Sequence, residues 1–150
     1  MKHRAKGFSL LELLISLVII GMLAAQVYPS FHKQVIRTRR QEAEATLLQL
    51  MQQQERLHTQ SNTYVEFSAN ATSGPARLFK WWSGSTPATS AYELEGKACD
   101  GEQISQCVQI IAKPGTSLVI STFRDEDCQR LILTSTGLRL ASGSAEHCWP

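Results

Sequence analysis

The stretch KGFSLLELLISLVIIGMLAAQVYP, residues Lys6–Pro29, is apolar apart from one acidic residue, Glu12, near its beginning. Within it, residues 8–27 are mostly Leu, Ile, Val, Ala, Met and Phe. A helix of about 20 residues is roughly 30 Å long, which matches the hydrocarbon core of a bilayer. We therefore predict that residues 8–27 span a membrane as a helix. An ionised side chain is rarely placed in such a helix without a purpose.

The length and net charge of the chain exclude few other classes of protein. It has 150 residues and a formal net charge of +2. This length suits one folded domain, and so small a charge points neither to nucleic acid nor to an acidic partner. No second apolar run of comparable length follows residue 27. We therefore expect the rest of the chain to lie outside the bilayer.

A second helical pattern follows the apolar run. From Ser30 to Gln60 the sequence contains neither Gly nor Pro, and one narrow apolar stripe recurs at helical spacing. The stripe consists of Ile36, Ala43, Leu47, Leu50 and Leu57. We predict an amphipathic helix over residues 28–60, continuous with the first helix apart from a bend or weak point at Pro29.

The chain changes character after residue 60. Residues 61–90 are rich in Ser, Thr, Asn, Gly and Pro, which is typical of a connecting region with at most a short element around residues 76–82. Residues 91–150 contain short β-rich segments separated by turn signals. The predicted strands are 91–96, 107–113, 117–123, 128–135 and 137–142. The sequence therefore predicts an α+β fold, in which a long N-terminal helix packs its apolar stripe on a C-terminal antiparallel sheet.

Four cysteines lie in the last third of the chain, at positions 99, 107, 128 and 148. Their number is even, and no two of them form the closely spaced pair that is usual in zinc sites. Behind a membrane-directed N-terminus, this pattern favours disulfides formed in an oxidising compartment. Reduced thiols in a cytosolic domain are the alternative. The sequence alone allows three pairings of four cysteines.

Two ordinary explanations of the N-terminus do not account for Glu12. A secretory signal peptide usually has a shorter apolar region without a charge, and only a weakly permissive cleavage sequence, LAAQ, occurs here. In a plain membrane anchor, the carboxylate would cost about 2.5 kcal/mol or more near the bilayer centre and less near its edge. Nothing in the apolar run supplies a positive partner.

The residues KGFSLLELLISLVIIGMLAAQVYPSF resemble the N-terminus of type IV pilins and the related pseudopilins. The shared features are a basic leader, a Gly–Phe junction, a hydroxyl residue, two leucines and a glutamate before the apolar run. The resemblance, strongest over residues 2–60, implies that residues 1–7 are a leader peptide. It also implies cleavage by prepilin peptidase between Gly7 and Phe8 and N-methylation of the Phe8 amine.

The resemblance also supplies a partner for Glu12. In the fibres of this family, Glu12 is expected to face the Phe8 amine of a neighbouring subunit and to set the register of assembly. Pairing the two opposite charges lowers the cost of burying both. Gly21 and Pro29 match positions at which pilin helices are thought to loosen in the fibre, and a static kink is the alternative explanation.

The C-terminal sequence DCQRLILTSTGLRLASGSAEHCWP is similar to the tail of PilE-type minor pilins. In such pilins a disulfide closes the variable loop and holds the C-terminus on the sheet. The resemblance therefore implies a disulfide between Cys128 and Cys148. It leaves Cys99 and Cys107 as the second pair, which departs from the simplest pilins with one disulfide.

Together these resemblances imply a minor pilin that supports assembly of a type IV pilus, with no cofactor. Its expected partners are other pilins, prepilin peptidase and the inner-membrane assembly platform. The expected location is the inner membrane, crossed once with a periplasmic C-terminal domain, and later the extracellular fibre. Two alternatives remain: a pseudopilin of type II secretion, which commonly lacks the Cys-framed tail, and a DNA-binding competence pilin.

Two further motifs have more than one interpretation. In RLFKWW, Arg77 and Lys80 lie beside Trp81 and Trp82, and basic and aromatic residues together can hold nucleic acid. We favour the simpler interpretation, in which the tryptophans pack on the sheet and the cations are solvated. RDED, residues 124–127, lacks the spacing of a calcium loop and is expected to be a solvated turn. The sequence has no catalytic motif that we recognise and no clear metal site, so we predict that the chain is not an enzyme.

Overall fold

A computed structural model of the chain describes residues 9–72 and 74–149, and for residues 25–30 it describes the helical backbone alone. It contains one long helix, α1 (Leu10–Ser61), two short 3₁₀ helices (Ala76–Leu78 and Pro87–Thr89) and a four-stranded sheet. The contacts within the chain divide it into two units, with the boundary between Arg37 and Thr38.

The first unit contains the N-terminal part of α1, and its apolar side chains are uncovered. The backbone carbonyl of Ser9 accepts hydrogen bonds from the amides of Glu12 and Leu13, at 3.0 and 3.2 Å. The large apolar side chains from Leu10 to Leu23 are between 53% and 75% exposed. A continuous apolar surface of this kind marks a site of contact with lipid or protein.

The predicted membrane span over residues 8–27 lies partly outside the described residues, because these exclude Phe8 and the side chains of residues 25–27. Among the helical residues that the structure describes, no stretch is both long and apolar enough to cross a membrane.

The second unit is held together by the apolar stripe of α1. Ala43, Leu47 and Leu50 are buried at the centre of the core, and Leu57 packs against its edge. Burial of one such leucine side chain contributes about 1.5–3 kcal/mol. These four residues of the predicted stripe therefore perform the predicted role, whereas Ile36 belongs to the first unit.

The sheet is antiparallel, and its strands follow one another in chain order. The strands are β1 (Tyr92–Ala98), β2 (Val108–Pro114), β3 (Leu131–Thr134) and β4 (Arg139–Ala141). Leu94 pairs with Ala112, Ala112 with Leu131, and Leu131 with Ala141, so one row of small and large apolar residues crosses the whole sheet. The α+β prediction is confirmed, and four of the five predicted strands exist with shifted ends.

The fifth predicted strand, residues 117–123, is wrong. Both edges of β2 are already occupied by β1 and β3, so the segment that follows β2 has no central strand to join. It forms successive turns instead, in which the amide of Ile120 donates to the carbonyl of Ser90 at 2.9 Å and Val119 is buried. Its alternating pattern reflects burial of single side chains and not a ladder of strand hydrogen bonds.

The region between α1 and β1 is ordered by contacts with both elements. Gln54 is fully buried on α1, and its side-chain amide donates to the carbonyl of Val65 at 2.6 Å and accepts from the Val65 amide at 2.9 Å. Phe67 forms a β-bridge with Gly96, and its ring fills the space that a Cβ at Gly96 would need. The connecting region therefore lies along the outer edge of β1.

The acidic turn before Cys128 is not solvated as predicted, because Asp125 is buried. Its carboxylate accepts two hydrogen bonds from Arg40 of α1, at 2.7 and 2.9 Å, and one from the Tyr92 hydroxyl of β1, at 2.5 Å. Burial alone would raise the pKa of the Asp125 carboxyl, but the hydrogen bonds from Arg40 and Tyr92 outweigh it and lower that pKa. Its acidic neighbours Glu126 and Asp127 are exposed as expected.

We expect Asp125→Ala to lower the free energy of unfolding by about 3–5 kcal/mol, because it leaves the buried Arg40 without a counter-ion. The measurement is thermal unfolding of the full chain in detergent, followed by near-ultraviolet circular dichroism. Since the pKa of Asp125 is lowered in the fold, its contribution is complete above the unfolded pKa of about 3.9. It should disappear as the pH falls through the lower, folded value.

Glu126→Ala is the matched control for this measurement, because Glu126 is the adjacent acidic residue and is exposed. Its effect should stay within about 0.5 kcal/mol. Equal losses from the two variants would show that the Asp125 cluster does not hold the fold together.

Candidate functional site

The N-terminal residues predicted to direct processing lie mostly outside the described part of the chain. Gly7 and Phe8, the predicted cleavage site, and the Phe8 amine, the predicted methylation site, are not among the described residues. Glu12 is described, and it lies exposed in the first turn of α1. Its side chain has no hydrogen-bond or ion-pair partner among residues 9–72 and 74–149, so it is available to a partner outside this set.

Helix α1 is continuous through both predicted break positions. Gly21 and Pro29 lie inside the helical range Leu10–Ser61, and a Cβ at Gly21 would meet open space. Gly21 is therefore not required by close packing within the described chain. The predicted loosening concerns the fibre, and for both residues it stays a prediction.

Two disulfides join the cysteines in the pairs that the resemblance implied. Cys128 and Cys148 are bonded and buried in the core, with their Cα atoms 5.5 Å apart. The residue that follows Cys148 is held on β4, since the indole N–H of Trp149 donates to the carbonyl of Leu140 at 2.9 Å. A closed loop of this size contributes about 3 kcal/mol in the chain-entropy model.

The second disulfide, between Cys99 and Cys107, closes the turn from β1 to β2. This turn contacts the end of α1, where Nε2 of His58 lies 3.1 Å from the carbonyl oxygen of Ser105. The His58 ring also stacks on Tyr64, with 4.2 Å between ring centroids. The disulfide therefore fixes a turn that is also tied to the helix.

The residues of RLFKWW line one side of an open groove of about 690 Å³. Trp82 forms a β-bridge with Glu93, and its indole N–H is buried with no hydrogen-bond partner among the described residues. Lys80 lies over the Trp82 ring at 5.7 Å and donates to the carbonyl of Ser83 at 3.3 Å. Burial lowers the pKa of the Lys80 ammonium, which Glu42 partly opposes. Trp82 thus packs against β1 as predicted, whereas the prediction that the cations are solvated is wrong for Lys80, which is partly buried against the Trp82 ring.

Two residues of this groove remain open to a ligand. Arg77 is exposed and has no hydrogen-bond or ion-pair partner in the described part of the chain. Trp81 is half-buried and meets the Trp82 ring edge-on, with 5.1 Å between centroids. A cation and an aromatic face on one groove can contact a phosphate and a base.

A second concave site was not predicted from the sequence. We call it the apolar cleft, about 410 Å³ in volume, with a surface that is mainly apolar. It is lined by Leu48, Met51, Gln52 and Glu55 of α1 and by Leu133, Thr134, Ser135, Gly137 and Arg139 of the β3–β4 hairpin. A signal for its helical wall exists in the sequence, because Leu48, Met51 and Glu55 follow one another at steps of three and four.

No arrangement of side chains suited to a metal ion occurs in the described residues, where three or more His, Cys, Asp or Glu never converge. His147, next to the disulfide-bonded Cys148, is exposed.

Family models match most of the chain. Residues 29–132 match the model described as type IV minor pilin ComP, DNA uptake sequence receptor, and residues 2–25 match the prokaryotic N-terminal methylation motif. The type IV major pilin protein PilA of Myxococcus xanthus is 35% identical over 74 residues, which cover 49% of this chain and 34% of that protein. The chain thus spans about a third of the length of this curated relative.

Two solved pilin structures superpose on part of this chain. The non-core minor pilin PilV of Neisseria meningitidis superposes with a TM-score of 0.50 at 20% identity, covering 77% of this chain and 94% of PilV. A type IV pilin from Shewanella oneidensis gives a TM-score of 0.47 at 18% identity, covering 77% and 98% of the two chains. By the superposition on PilV, the arrangement of one long helix on an antiparallel sheet is the pilin fold. The chain belongs to the type IV minor pilin family whose model is described as ComP, DNA uptake sequence receptor.

Proposed function

We propose that this minor pilin is made as a prepilin, cleaved by prepilin peptidase between Gly7 and Phe8 and methylated on the Phe8 amine. Before assembly it crosses the inner membrane once, with its C-terminal domain in the periplasm, and the assembly platform then moves it into the fibre. The observation that carries this proposal is the uncovered apolar surface of Leu10–Leu23, each large side chain at least 53% exposed. Such a surface needs lipid at first and neighbouring helices later.

The single charged residue on that surface, Glu12, would set the register of assembly. Glu12 lies one helical turn into the apolar run, and its carboxylate has no partner among the described residues. A Phe8 amine of a neighbouring subunit would supply the opposite charge in a region that excludes water. A subunit added out of register would leave a buried charge unpaired, which costs about 3–5 kcal/mol.

We expect Glu12→Ala to leave cleavage intact and to lower incorporation into fibres at least roughly tenfold, because the Phe8 amine of the neighbour loses its partner. The measurements are the N-terminal mass of the chain in cells and its amount in sheared fibres. Ser16→Ala is the control, because Ser16 lies one turn later and bonds only the Glu12 backbone carbonyl, at 2.8 Å. Normal incorporation of the Glu12 variant would contradict the register argument.

The N-terminal mass of the wild-type chain tests the processing step itself. A mature chain that begins with N-methyl-Phe8 supports the proposal. A chain that begins near Gln26 would mean that an ordinary signal peptide has been removed, and the proposal would fail. The minor pilin family match and the Cys128–Cys148 disulfide both favour a pilus over a secretion pseudopilus.

DNA reception is a second candidate function, and the family description favours it. The residues alone favoured packing for the RLFKWW motif, and Trp82 and Lys80 do pack. Arg77 and Trp81, however, remain available on the groove beside them. We infer that a DNA backbone contacts Arg77 while Trp81 offers an apolar platform.

We expect Arg77→Ala to weaken binding of duplex DNA to a similar degree for all sequences. Log affinity falls as log salt concentration rises, and in this variant the magnitude of that slope should be smaller by about one. Fluorescence anisotropy of labelled DNA with the full chain in detergent measures both quantities. Arg130→Ala is the control, since Arg130 is an exposed cation immediately before β3. Equal losses of DNA affinity in the two variants would mean that DNA responds to the net charge of the domain and not to Arg77 itself. If the wild-type chain binds no DNA, this function is excluded for the isolated subunit.

A further inference from the structure

Two exposed cations follow the apolar surface of α1 and have no counter-ion. We call residues 31–37 the basic segment, after Lys33 and Arg37, which form no hydrogen bond or ion pair within residues 9–72 and 74–149. They lie one helical turn apart, and like charges at that spacing slightly destabilise a helix. The sequence from residue 13 to residue 41 contains neither Asp nor Glu. The neighbouring turns of the helix therefore offer neither cation an anion.

The distance of the basic segment from Glu12 matches the thickness of a lipid bilayer. Lys33 follows Glu12 by 21 residues in one continuous helix, which corresponds to about 32 Å. The hydrocarbon core of a bilayer is about 30 Å thick, and the bilayer with its polar layers measures about 40–45 Å. With Glu12 at one edge of the hydrocarbon, Lys33 lies among the phosphate groups at the other edge. Arg37 lies one turn farther out, and its long side chain can reach back to the same layer.

The opposite side of the basic segment is apolar. Phe31 is 69% exposed and Val35 is 39% exposed. At about 100° per residue, this pair lies roughly 160° around the helix from Lys33 and Arg37. Aromatic residues are common at the level of the lipid headgroups, where Lys and Arg extend to the phosphates. An acidic protein surface would suit only the cations, whereas a lipid interface suits both sides of these two turns.

Under the topology proposed above, the basic segment lies on the periplasmic side of the membrane. Membrane proteins usually keep their excess of Lys and Arg on the cytoplasmic side. Cleavage after Gly7 would also remove the leader cations Lys2, Arg4 and Lys6. In the mature chain, the side-chain cations next to the membrane would then lie on the periplasmic side alone. This unusual placement favours a role for Lys33 and Arg37 at the periplasmic leaflet.

We propose that Lys33 and Arg37 bind phosphate groups of anionic phospholipids in the periplasmic leaflet and hold the subunit at one depth before it enters a fibre. The proposal rests on the membrane step of the proposed function. The Lys33 ammonium acts on a phosphate as a point charge, whereas the Arg37 guanidinium can donate two parallel hydrogen bonds to it. Because a subunit that leaves the membrane loses these contacts, they oppose its release until the assembly platform acts.

The test measures the lipid preference of the chain by electron paramagnetic resonance. The full chain, purified from cell membranes, is reconstituted in phosphatidylcholine vesicles with a trace of spin-labelled phosphatidylglycerol or spin-labelled phosphatidylcholine. The fraction of the label that the protein immobilises gives the relative association of each lipid. We expect phosphatidylglycerol to associate roughly threefold more strongly than phosphatidylcholine. The preference should weaken at about 1 M salt, where the screening length is about 3 Å.

Removal of both cations should abolish most of this preference. The variant is Lys33→Gln/Arg37→Gln, and both side chains are exposed, so the core is not disturbed. Arg56→Gln/Arg130→Gln is the matched control, because it removes two exposed cations from the second unit. The control should keep the preference of the wild-type chain. Equal losses in the two double variants, or a wild-type chain without any preference, overturn the proposal.

Flotation of the same vesicles separates this proposal from the membrane step on which it rests. A chain that floats with the vesicles but shows no lipid preference keeps the membrane step and overturns the headgroup contact. A chain that does not float overturns both. If the lipid preference is absent while Lys33→Gln/Arg37→Gln lowers the amount of the chain in sheared fibres, the partner of these cations is a neighbouring subunit, and the headgroup contact is again overturned.

Discussion

The folded unit depends on one buried carboxylate. The Asp125 carboxylate accepts hydrogen bonds from Arg40 of α1 and from the Tyr92 hydroxyl of β1. It also accepts a hydrogen bond from the backbone amide of Cys128, at 3.2 Å. Three parts of the chain that are far apart in sequence thus meet at one charge. Removing any one of the donors leaves a polar group without water or partner, so the whole arrangement forms together.

The two parts of α1 differ in whether the same molecule covers their apolar side chains. The second half of α1 covers its stripe within the same molecule, against the sheet. The first part leaves its leucines and isoleucines exposed over Leu10–Leu23. One continuous helix therefore contributes to the core of its own molecule near its C-terminal end and exposes apolar side chains near its N-terminal end. This division explains why a pilin can be a stable folded unit and an assembly element at once.

Local patterns predicted the long helix and the approximate positions of four strands, because each depends on residues close together in sequence. The N-terminal processing site came from the family resemblance and stays a prediction. The burial of Asp125 could not be predicted from local patterns. For the apolar cleft, the spacing along α1 indicates only one wall, because the other wall comes from the β3–β4 hairpin about 80 residues later. The RDED turn looks solvated until Arg40, 85 residues away, is brought beside it. The strand expected at residues 117–123 failed for a similar reason, since a local alternation cannot show that both edges of β2 are taken.

The contacts between the connecting region and β1 affect how readily the sheets of neighbouring molecules could pair. Phe67 exchanges two backbone hydrogen bonds with Gly96 at the outer edge of β1. Farther along this edge, on either side of Trp82, the Trp81 carbonyl accepts from the Leu94 amide and the Ser83 amide donates to the Tyr92 carbonyl. At the opposite margin, β4 is only three residues long and is followed by a loop pinned through Cys148. A sheet with one margin capped and the other this short offers little template for strand addition. Many such domains can therefore stand side by side at very high local concentration without merging their sheets into an aggregate.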